Sequence, residues 1–100
     1  MSKNILTVST PVGDFTRATD SKYTHIVVRQ SERAMRLYTA VKNGDENAIR
    51  ASKLGVDARW VKDHGFAVTW HASEVSAQRA ARGHYGYDWN APVIGIFEVA

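Results

Sequence analysis

Two periods run through this chain, and the change between them marks its layout. In the first third, apolar and polar residues alternate: Leu6 and Val8 oppose Thr7 and Ser9 between Ile5 and Thr10, and alternation resumes from Phe15 to Thr19. This predicts two half-buried strands, joined through Pro11-Val12-Gly13-Asp14, where proline presets one dihedral and glycine tolerates positive φ. Thr16, Arg17 and Thr19 leave the second strand polar, as suits an edge. After the turn Asp20-Ser21-Lys22, the segment Tyr23 to Arg29 places Tyr23, His25 and Val27 on one face and Thr24, Ile26 and Val28 on the other. Its centre is apolar on both faces, the mark of a covered central strand. Three consecutive strands predict a meander.

From Ser31 the spacing becomes three and four. Ser31 suits a helix cap, and Ala34, Met35, Tyr38 and Val41 share one helical face. Leu37, Thr39 and Val41 also alternate, so Arg36–Val41 has a competing reading as a strand; helix fits the longer window. Asn43-Gly44 ends that helix, Asp45-Glu46 begins another with Ala48, Ile49 and Ser52 inward, Gly55 ends it, and Asp57 starts a short third with Trp60 and Val61.

The clearest local signals lie between Phe66 and Gly83. Phe66, Val68 and Trp70 alternate with Ala67, Thr69 and His71, which predicts a strand. Ser73 offers a cap, Glu74 suits the positive end of a helix dipole, and the alanine-rich segment to Arg82 has good helix propensity. Gly83 suits a left-handed helix end, with Arg79 and Arg82 near the negative dipole end. Ala91-Pro92 favours extended backbone, and Val93 to Val99 is an apolar last strand in which Gly95 suggests a bulge. That strand belongs beside the meander, or beside Phe66–His71. In the second case a parallel pairing would make the helix between them a crossover. The pattern predicts one α+β domain over residues 1–100: a mainly antiparallel sheet of about five strands with two or three helices on one face.

Composition narrows the chemistry. With no cysteine, the chain has no disulfide framework and no thiolate nucleophile or metal ligand. The N-terminal stretch lacks the apolar core of a secretory signal, and no apolar run approaches the roughly 20 residues that span a bilayer, so a cytoplasmic setting without a membrane partner is expected. Thirteen basic residues against ten acidic ones give a net charge of only +3. This mild bias fits a mixed-charge surface better than a polybasic tail.

The four histidines, His25, His64, His71 and His84, form no short metal-binding pair, and no metal or cofactor is expected. His25 and His71 would face each other if their strands were neighbours. Serine-nucleophile and glycine-rich phosphate motifs are absent. Asp57, Asp63, Glu74 and Asp88 sit near expected helix ends or in loops, where capping accounts for them, and Asp63-His64 is the one adjacent acid–imidazole pair of interest. No catalytic residue is assigned. A stronger signal is the run His84, Tyr85, Tyr87, Asp88, Trp89 and Asn90, immediately after Arg79 and Arg82. Tyrosine and tryptophan give large contact area at low rotamer cost, and arginine supplies charge-assisted bonds. These eight residues are the expected partner-binding site. A second reading makes Arg29, Arg33 and Arg36 a basic stripe for nucleic acid, with aromatics stacking on unpaired bases. A small-ligand binder or enzyme is the third.

The strand Tyr-Thr-His-Ile-Val-Val at Tyr23–Val28 and the unit from Thr69 to Ala81 resemble a pattern in small accessory proteins of actinobacterial bacteriophages and mobile elements. The resemblance covers about a fifth of the chain and carries over no functional residue. It implies a non-enzymatic phage-type accessory protein in the host cytoplasm that binds and modulates or inhibits a host protein, including components of host defence. Self-association into a homo-oligomer through an exposed strand edge, Phe15–Thr19 or Val93–Val99, is a further expectation.

Overall fold

The computed structural model describes residues 4–53, 55–83 and 91–100. β1 (Asn4–Thr10) and β2 (Gly13–Thr19) form a hairpin in continuous register, from Asn4 opposite Thr19 to Thr10 opposite Gly13. Its turn needs glycine, since Gly13 sits at φ 130°. Thr10 closes it: its hydroxyl donates to the Gly13 carbonyl at 2.7 Å and accepts from the Val12 N–H at 3.2 Å.

β3 (His25–Arg29) does not extend this hairpin, so the expected meander is not formed. The hairpin is a sheet of its own, and β3 is the centre of a second sheet, ordered β4-β3-β5, with β4 (Ala67–His71) and β5 (Val93–Glu98). Both pairings are antiparallel. The reason lies in β3 itself, which needs cover on both faces. Ile26 and Val28 bury against Val8 and Phe15 of the hairpin, and Val27 buries against Ala77 and Ala80 of α4 (Glu74–Arg82). Laying the hairpin beside β3 would have left the Ile26 face without that cover. The result is three layers: hairpin, three-stranded sheet, helix.

The α+β class stands, but in place of the single sheet with two or three helices on one face, the described residues form two sheets and four helices. β5 lies against β3, antiparallel, and does not pair parallel with β4. α4 therefore carries the chain across β3, from one flanking strand to the other. The register slips by one residue near Gly95, where Val28 faces Gly95 and Arg29 faces Val93, a bulge of the expected kind.

α1 (Glu32–Lys42), α2 (Glu46–Ser52) and α3 (Gly55–Lys62) pack chiefly on one another. Ser31 caps α1 through the Ala34 N–H and Asp45 caps α2 through the Ala48 N–H, each at 3.0 Å. Arg36–Val41 lies inside α1 and is helix, not strand. Gly55, expected to end α2, instead opens α3 at φ 57°. This three-helix unit meets the β-layers at the turn Asp63-His64-Gly65. A Cβ on Gly65 would come within 3.1 Å of the Met35 Cα, so α1 packs there on bare backbone.

Candidate functional site

α4 forms where the sequence signals placed it. The Ser73 hydroxyl accepts from the Ser76 N–H at 3.1 Å, and Glu74 lies in the first turn. Ala77 and Ala80 face inward, with Ala81 and Ile96 partly buried beside them, so the helix lies close on the sheet. The outward stripe is Val75, Gln78, Arg79 and Arg82, which are exposed at three- and four-residue spacing. Val75 is 57% exposed, unusually open for a branched aliphatic residue.

The end of α4 departs from expectation. Gly83 is extended, at φ −124° and ψ −170°, and makes no left-handed cap. The cap comes from below, from a residue distant in sequence. Arg29 is only 6% exposed. One guanidinium nitrogen, Nη2, donates to the Ala80 carbonyl at 2.7 Å and to that of Ala81 at 3.4 Å, while Nη1 donates to the Ala91 carbonyl at 2.7 Å. A cation at the negative end of a helix dipole is favourable, and the planar fork satisfies carbonyls that would otherwise be orphaned. The adjacent Gln30 N–H donates to the Pro92 carbonyl at 2.8 Å. Arg29 thus fastens together the two chain stems on either side of residues 84–90.

This arrangement frees Arg79 and Arg82 from the capping role, although the Arg82 Nε also donates to the Gln78 carbonyl at 3.3 Å. Of the eight residues expected to bind a partner, these two stand exposed side by side on α4. His84, Tyr85, Tyr87, Asp88, Trp89 and Asn90 lie outside the described residues. The basic stripe proposed for nucleic acid is assembled only in part: Arg29 is turned inward, whereas Arg33, over the Trp60 ring at 5.4 Å, and Arg36, 4.0 Å from Glu32, are exposed one turn apart on α1.

His25 and His71 are cross-strand partners, and Glu98 faces His25 from the other side. They do not converge on a common point. The His71 ring engages the Thr69 hydroxyl at 2.8 Å through Nε2 and that of Ser76 at 3.1 Å through Nδ1, whereas the His25 Nδ1 meets the Thr24 hydroxyl at 2.8 Å. Burial, and secondly the neighbouring His25, lower the His71 pKa below 6.5. Among the described residues, no group of three or more His, Asp or Glu is placed to hold a metal ion. The reading from sequence overlooked an open groove of about 940 Å³ along α1, lined by Met35, Thr39 and Ala40 with Gln30 and Asp45 towards its ends.

No family model, curated protein or solved structure matches the chain. Among the described residues, no helix is long and apolar enough to cross a membrane.

Proposed function

We propose that the chain is a non-enzymatic accessory binding protein that docks on a host protein through the C-terminal half of α4 and the segment that follows it. Arg79 and Arg82 supply charge-assisted bonds to acidic groups, and Tyr85, Tyr87 and Trp89 supply the apolar anchors. The observation that supports this reading is the Arg29 clamp. A buried guanidinium fixes both stems of the aromatic segment beside two exposed arginines that the helix end does not need. A fixed base lowers the ordering cost of binding, which is where small interfaces lose most of their affinity.

The test is capture of the host partner by purified tagged protein, with Arg79→Glu/Arg82→Glu and Tyr87→Ala/Trp89→Ala compared against wild type. Both variants should keep the wild-type melting temperature and lose the captured protein. Retention of the same captured protein by both would overturn the assignment. Nucleic-acid binding through Arg33 and Arg36 is the second reading. The loss of Arg29 from that surface weighs against it. It requires a raised 260/280 nm absorbance ratio in gel filtration that collapses in high salt.

A further inference from the structure

An edge strand offers its unpaired backbone groups to another chain unless something guards them. Among the described residues, three of the four sheet edges are guarded. On β1, the Thr7 carbonyl accepts from the Ala100 N–H at 3.2 Å. On β2, opposite Thr7, the Thr16 carbonyl accepts from the Lys62 ammonium of α3. β5 is bent by its bulge and carries the charge of Glu98. These include both edges expected from the sequence to self-associate.

β4 differs. Its residues, Ala67-Val68-Thr69-Trp70-His71, include no charged side chain, proline or glycine, and they pair with β3 without a register shift. The His71 carbonyl accepts from the Thr24 N–H at 2.8 Å, on the β3 side. Successive residues of a strand turn their backbone groups to opposite sides. Ala67, Thr69 and His71 therefore bond towards β3, and Val68 and Trp70 direct their N–H and C=O groups outward. Among the described residues no strand lies on that side, and Val68, Thr69 and Trp70 are only half-buried.

We propose that β4 is the interface of a homodimer, pairing antiparallel with the same strand of a second copy across a twofold axis at Thr69. Val68 then lies opposite the partner's Trp70, and Trp70 opposite the partner's Val68. Each pair exchanges two N–H···O=C bonds, so all four outward groups of each strand are satisfied together. An axis at Val68 fits less well, because it sets Trp70 against Phe66, whose N–H already donates to the Asp63 carbonyl at 3.1 Å.

The side chains agree with this register. On the hairpin face an aromatic residue meets a β-branched one, Trp70 beside Val68; on the α4 face threonine meets threonine. Charge is complementary as well. The chain approaches β4 past Arg59 and Lys62 and leaves it past Glu74, all exposed, so antiparallel pairing sets each basic approach beside an acidic exit. The axis stands perpendicular to the sheet. The six-stranded sheet that results carries both α4 helices on one face and both hairpins on the other, and the interface is closed.

Light scattering coupled to gel filtration tests the interface. The wild type should weigh about 22 kDa, twice the 11.1 kDa of one chain. Thr69→Lys sets two ammonium groups against each other at the axis. It should return the protein to 11.1 kDa with an unchanged circular dichroism spectrum. A wild type that stays monomeric up to about 1 mM, or a Thr69→Lys protein that stays dimeric, would overturn the proposal. Should the variant fail to fold, hydrogen exchange in the wild type decides. The Val68 and Trp70 amides, free in the monomer, should be slowed by roughly tenfold or more at about 1 mM. Exchange there at the rate of an unstructured chain sinks the interface.

Discussion

Replacing Arg29 with alanine tests the central structural argument. Three carbonyls lose their donor, but not equally. The bond to Ala80 is fully buried, whereas those to Ala81 and Ala91 are partly open to water. Leaving a buried carbonyl unpaired costs about 1–3 kcal/mol. Losing a cation from a partly buried helix C-terminus costs up to about 2 kcal/mol. Water replaces the other two bonds at smaller cost, and the aliphatic stem leaves a void. Together these give about 3–4 kcal/mol, a large share of the roughly 5–15 kcal/mol that holds a domain of this size. The melting temperature, followed by far-ultraviolet circular dichroism, should fall by roughly 12–30 °C. Arg29→Lys separates charge from geometry. One ammonium cannot bridge the Ala80 and Ala91 carbonyls, which bond different guanidinium nitrogens, so this variant should lose about half as much. A loss below about 1 kcal/mol for Arg29→Ala in urea titration would refute the cap. A Lys variant as stable as wild type would show that charge alone matters.

Other outcomes follow from the same geometry. Gly65→Ala should cost more than about 2 kcal/mol in urea titration, since it combines positive φ with a clash against the α1 backbone. Gly44→Ala, also at positive φ but with open space around it, should cost only about 1 kcal/mol. Ser73→Ala should lower stability by about 1 kcal/mol through loss of the α4 cap. His71 is held neutral in the folded state, so its contribution is complete above pH 6.5 and is lost as pH falls through its lowered folded pKa. In His71→Gln, the slope of stability against pH below 6.5 should be shallower, and an unchanged slope would exclude His71 as its source.

How much of this was legible depended on whether the determining contact was local. The strand and helix between Phe66 and Gly83 rest on alternation, a serine cap and alanine content, all within a few residues, and α4 spans Glu74–Arg82 as those signals require. The two-faced apolar run Ile26-Val27-Val28 identified a central strand. Its neighbours, however, come from the far end of the chain, and no local period encodes them. That is why a meander was expected where a separate hairpin formed. Arg29 was misread as surface charge, yet strand parity held the clue: it shares a face with Val27, the face a helix must cover. The Gly83 cap was misjudged for the same reason, since the donors that end α4 arrive from β3.

The placing of β3 has a consequence for how the protein is made. The strand emerges early, but both its hydrogen-bonding neighbours and the helix over Val27 come from the last third of the chain, and the Arg29–Ala91 contact closes 62 residues. Until β5 is synthesised, the most deeply buried of the described strands has one unpaired side, although the hairpin, β4 and α4 are already available to it. Folding should therefore be limited by long-range closure, in milliseconds to seconds, not by the quick local hairpin. A chain ending at Gly83 should collect in the insoluble fraction while the full chain remains in solution. During synthesis, the hairpin is the first element available to cover the Ile26 face of that strand.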